Sequence, residues 1–220
     1  MASPLDLQEQ EQLDQLKAFW KRHGNLISWL LTVALMAYAG YNGWNWWQRE
    51  QATKAGAMFD ELDRAVQATD VDKTSRVFAD LRERYPRTVF AQQAGLLAAR
   101  VQFDKDKPEA ARASLTWVAE NGLEDEYRTM ARMRLAGLLM ESKQFDEALK
   151  QLDAAKSQAF QHLVADRRGD VLLAQGKKDD ARLSYERAWK AMEAKQPYRE
   201  LIDAKLTALG ASPSASGASK

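Results

Sequence analysis

Residues 138–155 have the sequence LLMESKQFDEALKQLDAA, and residues 171–188 have the sequence VLLAQGKKDDARLSYERA. The two stretches match at an offset of 33 residues (171 − 138). In each, an acidic pair precedes an alanine, a leucine or tyrosine follows four residues later, and a second alanine follows after three more. This spacing places the three apolar residues on one face of a helix. They are Ala148, Leu152 and Ala155 in the first stretch and Ala181, Tyr185 and Ala188 in the second.

The repeated pattern resembles the tetratricopeptide repeat, a helical hairpin with a period of about 34 residues. Pro108-Glu109-Ala110-Ala111 resembles the same junction one unit earlier, and residues 75–86 resemble the second helix of a still earlier unit. Two positions depart from the pattern, because Lys143 replaces the usual turn glycine and Lys178 the usual aromatic residue. An irregular helical bundle is the alternative fold.

Proline and glycine divide the chain after residue 49 into stretches rich in good helix formers. No stretch shows the alternation of β-branched residues that is typical of a strand. The sequence therefore predicts an all-α fold, one N-terminal transmembrane helix followed by a solenoid of tetratricopeptide-like hairpins. The predicted helices of the solenoid and its C-terminal end cover residues 50–68, 72–84, 88–104, 108–120, 124–142, 145–156, 161–175, 178–194 and 197–208.

An uncharged run of 25 residues, Gly24 to Gln48, precedes the helical stretches. A membrane-spanning helix needs about 20 mostly apolar residues, and aromatic rings favour the membrane–water boundary. The far end of the run is rich in tyrosine and tryptophan, and the run therefore predicts an uncleaved membrane anchor. A cleaved signal peptide is an alternative because Ala37-Tyr38-Ala39 resembles a cleavage site. A buried helix of a soluble domain is the other alternative.

Lysine and arginine near the ends of a span set its orientation, and cytoplasmic flanks carry more of them. Lys17, Lys21 and Arg22 precede the run, whereas Arg49 and Lys54 begin a long domain, where this rule has little force. We therefore expect the N-terminus in the cytoplasm and the larger domain outside it. The predicted organisation is a cytoplasmic segment at residues 1–23, an anchor at 24–48, a tetratricopeptide-like domain at 49–209 and a disordered tail at 210–220.

Composition narrows the classes of function. The net charge is +1, so nothing favours binding to nucleic acid. The chain has no cysteine, which excludes thiol catalysis and cysteine-bound metals. The two histidines, His23 and His162, do not form a metal-ligand pattern, and no nucleophile or phosphate-loop motif occurs. No catalytic residue, cofactor or metal is predicted, and the protein is expected not to be an enzyme.

In a stack of such hairpins the first helices line the concave face, which is the usual binding surface of repeat proteins. Methionine is flexible enough to accommodate varied apolar partners, although it also fills gaps in cores. We define the candidate partner groove as the residues predicted on this face. They are Leu96, Arg100, Phe103, Met130, Met133, Gly137, Met140, Leu163, Asp166, Asp170 and Leu173.

The whole arrangement resembles the ancillary subunit of the bacterial SecYEG translocon, the YfgM-like family. The resemblance covers residues 5 to about 209 and is carried by residues 11–25, Trp46-Trp47 and Asp166-Arg167-Arg168-Gly169-Asp170. It implies a single-pass protein of the bacterial inner membrane with a periplasmic C-terminal domain. It also implies association with SecYEG and with the membrane-anchored chaperone PpiD, and a part in passing translocated client polypeptides to periplasmic chaperones. Two other classes remain open from the sequence, namely another cell-envelope tetratricopeptide scaffold and an enzyme.

Overall fold

The computed structural model describes residues 7–193 and 195–211, and these residues form helices and no strand. The predicted all-α fold is thus confirmed. Most of the tail predicted to be disordered, residues 212–220, lies outside the described residues, as do residues 1–6 of the predicted cytoplasmic segment. A 3-10 turn, Gln158–Phe160, precedes α7. The helices are α1 (Leu7–Gln67), α2 (Val71–Arg84), α3 (Val89–Asp104), α4 (Pro108–Asn121), α5 (Asp125–Glu141), α6 (Phe145–Asp153), α7 (Gln161–Ala174), α8 (Lys178–Ala191) and α9 (Tyr198–Ala208).

The helix predicted over residues 50–68 is the C-terminal part of α1, which begins at Leu7. The chain divides into two compact units, one ending at Gln51 and one beginning at Ala52. In the first unit, α1 carries a stretch long and apolar enough to span a bilayer. Two polar side chains of this stretch bond to the helix backbone, as Thr32 Oγ1 donates to the Ser28 carbonyl and Asn42 Nδ2 to the Tyr38 carbonyl, both at 2.8 Å. Such bonds lower the cost of polar groups in hydrocarbon.

In the second unit, α1 from Ala52 onward pairs with α2, and α3–α4, α5–α6 and α7–α8 form the following hairpins. Every hairpin turns in the same way. The second residue after the first helix has a positive φ, and the next N–H donates to a carbonyl five residues back, at 2.8–3.0 Å. This is the Schellman arrangement of a helix end. The positive-φ residues are Thr69, Asp106, Lys143 and Gly176.

The turn explains why the departure at Lys143 leaves the repeat intact. Lys143 has a φ of 59°, in the same left-handed region as Gly176 at 84°. The left-handed conformation is less favourable for lysine than for glycine. The hydrogen bonds of the turn and the packing of both helices nevertheless hold Lys143 in this conformation. The four turns therefore have the same backbone geometry although the residue types at the turn position differ. The two earlier hairpins share this geometry even though their sequences match the repeat less regularly.

Each hairpin has the same three core positions, five, nine and twelve residues after the turn residue, all in the second helix except Ala155, which lies two residues beyond the end of α6. The first is small and has no exposed surface, the second is large, and the third is apolar and buried. All are buried, which confirms the predicted packing role of Ala148 and Ala181. The sets are Thr74, Phe78 and Leu81; Ala111, Leu115 and Val118; Ala148, Leu152 and Ala155; and Ala181, Tyr185 and Ala188.

A glycine allows the closest approach in the last hairpin. A Cβ added to Gly169 in α7 would lie 2.4 Å from Cε1 of Tyr185 in α8. The Tyr185 ring is 1% exposed and cannot withdraw, because its hydroxyl is bonded to Asp170 at 2.9 Å. Gly137 in α5 is the opposite case, since an added Cβ would meet nothing within 4 Å. One glycine is required by packing and the other borders open space.

The final helix, α9, resembles the first helix of an incomplete fifth unit. Gly210 ends it with a φ of 76°, and the Ala211 N–H donates to the Leu206 carbonyl, as in the hairpin turns. Ile202 and Leu206 are fully buried in a cluster with Tyr185 and Ala188. The helix therefore covers the open end of the stack, where α7 and α8 would otherwise expose apolar surface.

We expect Gly169→Ala and Gly137→Ala to change stability in opposite directions. The first change overpacks the contact with Tyr185 and should lower the free energy of unfolding by about 1–3 kcal/mol. The second removes a helix-interior glycine without a clash and should raise it by up to about 1 kcal/mol. Urea unfolding of the full-length protein in mild detergent, followed by circular dichroism, measures both. Equal effects of the two changes would contradict the assigned register of α7 on α8.

Candidate partner-binding groove

The first helices α3, α5 and α7 contact one another in sequence along the stack. Between them lies an open cavity of about 330 Å3. Residues three or four positions apart share a helix face, so Arg100 and Phe103 of α3 and Met133 and Gly137 of α5 project to the same cavity. The floor includes Leu115 of α4, which is 3% exposed. The lining is Ala99, Arg100, Phe103, Leu115, Met133, Arg134, Gly137, Leu138, Glu141 and Arg167.

The structure brings four residues of the candidate partner groove together at this cavity, namely Arg100, Phe103, Met133 and Gly137. Phe103 is 41% exposed, which is unusual for a large apolar side chain in a helix of a packed stack. Met133 is half-buried and touches the core as well as the cavity. These four positions therefore combine an accessible apolar surface with a backbone that Gly137 leaves open.

Other predicted groove residues lie elsewhere. Leu96 is 6% exposed and belongs to the core formed by α3 to α7. Met130 and Met140 are half-buried and pack against the same core, as the gap-filling alternative anticipates for these two methionines. Leu163 is half-buried, and Leu173 is exposed near the C-terminal end of α7. None of these five side chains lines the cavity between α3, α5 and α7.

Asp166 and Asp170, predicted at the polar flanks of the groove, instead bind α9. Lys205 Nζ donates to a carboxylate oxygen of each, at 2.6 Å in both cases. Tyr198 Oη donates to Asp166 at 2.6 Å, and Tyr185 Oη donates to Asp170 at 2.9 Å. The Asp166 side chain is only 5% exposed. One lysine and two tyrosines thus satisfy the two carboxylates and attach α9 to α7 and α8.

The electrostatics of this cluster keep its two tyrosines protonated. Burial raises the pKa of the Tyr185 hydroxyl well above its ordinary value, and the charge and hydrogen bond of Asp170 raise it further. Burial likewise raises the pKa of Tyr198, followed by the hydrogen bond to Asp166. A tyrosine that stays neutral can donate but cannot act as a base near neutral pH. The arrangement therefore favours a structural role for the cluster.

At the cavity itself, sequence reasoning missed Arg134 and Arg167. Arg134 Nη1 donates to the Leu96 carbonyl at 3.2 Å. Burial around its guanidinium, together with the positive charge of Arg100, lowers the pKa of Arg134. A hydrophobic pattern cannot identify such residues, because a long arginine reaches into a cavity from the edge of the apolar face. The sequence feature that could have identified Arg134 as a cavity residue is its position three residues before Gly137.

Within the described part of the chain, no group of three histidine, aspartate or glutamate side chains is placed to hold a metal ion. The cavity itself combines an apolar floor with charged rims.

We expect Lys205→Met to destabilise the protein by about 2–4 kcal/mol. The change keeps the aliphatic stem but leaves the Asp166 carboxylate buried without its cation, which is costly. Lys190→Met, at an exposed position of α8, is the matched control and should stay within about 0.5 kcal/mol of wild type. Urea unfolding of the full-length chain compares them. Equally mild effects would show that the Lys205 bridge does not hold α9.

Comparison with known proteins assigns the chain to a family. A model of the tetratricopeptide repeat-like domain matches residues 17–211. A protein of Neisseria gonorrhoeae named "Ancillary SecYEG translocon subunit" is 31% identical over 204 residues, which are 92% of this chain and 98% of the relative. Proteins of the same name from Haemophilus influenzae and Escherichia coli are 28% and 26% identical, over 83% and 81% of this chain and 89% and 85% of their own lengths. On this evidence, the chain belongs to the family of ancillary SecYEG translocon subunits.

Proposed function

We propose that this protein is a membrane-anchored, non-enzymatic scaffold that binds the SecYEG translocon. The observation that carries the proposal is the match to translocon subunits over 92% of the chain, which includes both the apolar stretch and the hairpins. A stack of helical hairpins is typically a protein-binding surface. The carboxylates of Asp166 and Asp170 are occupied by structural contacts with Lys205 and two tyrosines.

The proposed location is the bacterial inner membrane, with the N-terminus in the cytoplasm and the hairpins in the periplasm. Lys17, Lys21 and Arg22 before the apolar run support this orientation. The proposed anchor is residues 24–48, in contact with membrane lipid, and the periplasmic domain is residues 49–209. The division between compact units after Gln51 supports a domain boundary close to the end of the anchor.

The finer proposal is that the hairpins help pass translocated polypeptides from SecYEG to periplasmic chaperones. A PpiD-like membrane-anchored chaperone and unfolded client polypeptides are the proposed partners, and no nucleic acid is expected. The cavity lined by Phe103, Met133 and Gly137 supports this role, because it offers accessible apolar surface at the face that repeat proteins use for binding.

The proposed topology predicts that protease added to spheroplasts digests the hairpin domain. The anchor should leave a short fragment with the N-terminus protected by the membrane. Immunoblotting with tags at either end distinguishes the two parts. A known periplasmic domain serves as the control for access, and complete protection of the hairpins while that control is digested would reverse the orientation.

The proposed partners predict that the tagged full-length protein recovers SecYEG subunits from membranes solubilised in mild detergent. A photoreactive phenylalanine analogue at Phe103 should also crosslink to a translocating polypeptide or to the chaperone. The same analogue at Leu183 of α8 is the control, since that residue is 44% exposed and Phe103 is 41% exposed. Absence of SecYEG from the recovered material would contradict the function. Equal crosslinking from both positions would contradict the use of the groove.

A further inference from the structure

Three arginines from successive first helices line the cavity between α3, α5 and α7. Two of them have a carboxylate partner on their own helix, as Arg100 lies 3.7 Å from Asp104 and Arg167 lies 3.6 Å from Asp170. Arg134, between them along the stack, is different. Within the described residues, no carboxylate oxygen lies within 4 Å of its guanidinium, although Glu141 also borders the cavity. The excess positive charge of the cavity is thus concentrated at Arg134.

Arg134 has hydrogen-bonding capacity left over. A guanidinium carries five N–H donors in a planar fork, and the structure shows one bond, to the Leu96 carbonyl. Arg134 is exposed to solvent over part of its surface, while burial of the rest of the group and the positive charge of Arg100 nearby lower its pKa. A carboxylate facing this fork would gain paired, charge-assisted hydrogen bonds and relieve the repulsion between the two arginines.

The floor below the arginines is apolar. Phe103, Leu115, Met133 and Leu138 supply side chains, and Gly137 supplies open backbone where an added Cβ would meet nothing within 4 Å. The volume of about 330 Å3 lies at the small end of the range for ligand pockets, roughly 300–1,000 Å3. It suits one or two side chains of an extended chain better than a diacyl lipid, and the open backbone at Gly137 permits close approach of a peptide main chain.

We propose that this cavity recognises a polypeptide segment in which an acidic side chain neighbours an apolar one, with the carboxylate bound by Arg134 and the apolar group on the floor formed by Phe103 and Met133. The choice of a polypeptide rests on the proposed function. The charge complementarity rests on the geometry alone. The cavity therefore selects among partner segments by a carboxylate as well as by hydrophobicity.

The test uses the full-length protein in nanodiscs of phosphatidylcholine, a lipid without net charge. Two acetylated and amidated heptapeptides, GSLDLSG and GSLNLSG, differ only in the charged group. Surface plasmon resonance measures their affinities for wild type, for Arg134→Gln and Arg134→Lys, and for Arg76→Gln. Arg76 is an exposed arginine of the second helix α2, away from the lining, and serves as the matched control.

Wild type and Arg76→Gln should bind the aspartate peptide about 5- to 10-fold more tightly than the asparagine peptide. Arg134→Gln should bind the two equally, with unchanged circular dichroism. Arg134→Lys should keep part of the preference, because it retains the charge and loses the fork. Raising the salt concentration from about 50 to 300 mM should reduce the ratio of the affinities for the aspartate and asparagine peptides, because this site is partly exposed.

Three results would overturn the proposal. They are equal binding of the two peptides to wild type, an aspartate preference that survives Arg134→Gln, and no binding of either peptide at millimolar concentration. Arg134-dependent binding of dihexanoylphosphatidylglycerol without peptide binding would assign the cavity to an anionic lipid and also overturn it. If SecYEG is not recovered but the aspartate preference holds, the proposed function fails and the recognition chemistry stands.

Discussion

The close approach of the two helices in each hairpin is the constraint on which the rest of the structure depends. Ala111, Ala148 and Ala181 have no exposed surface, and each sits where the second helix first meets the first. A larger side chain there would separate the helices and remove the van der Waals contacts that hold them. In the last hairpin the first helix also requires a small residue, at Gly169, because even a methyl group there would overlap the ring of Tyr185.

The repeated turn converts this local contact into a regular stack. Four turns with a positive φ and the same pair of backbone bonds begin each second helix in one orientation. Neighbouring first helices then lie against each other, and residues far apart in sequence face one cavity. Arg100, Arg134 and Arg167 meet in this way, each from a different unit. A surface formed in this way belongs to the stack, since no single hairpin contains it.

The end of the stack is closed by polar as well as apolar contacts. Ile202 and Leu206 fill the space beside Tyr185, and Lys205 donates hydrogen bonds to two carboxylates of α7. Arg199 lies over the ring of Trp189 at 3.7 Å, which adds a cation–π contact. Because the buried carboxylate of Asp166 needs the lysine, the interaction fixes the position of α9 more specifically than apolar packing alone would.

The sequence by itself determined the helices, the hairpin period and the core positions of the second helices. These depend on local spacing, and the contact of Ala148 or Ala181 with its partner helix repeats a known pattern. The merging of the helix predicted at 50–68 into α1 was not foreseen, because no proline or glycine signal distinguishes a continuing helix from two adjacent ones. The apolar run predicted a span by length and composition, two properties that folding does not change.

The tertiary structure decided which predicted groove residues share a surface. Asp166 and Met133 both fit the face expected of first helices, yet one is buried against α9 and the other lines the cavity. Arg134 carries no sequence pattern of its own. Within the described residues no carboxylate oxygen lies within 4 Å of its guanidinium, and only the stack defines that distance. Sequence periodicity specifies the face of a helix, whereas the partner of that face depends on the packing of helices more than 30 residues apart.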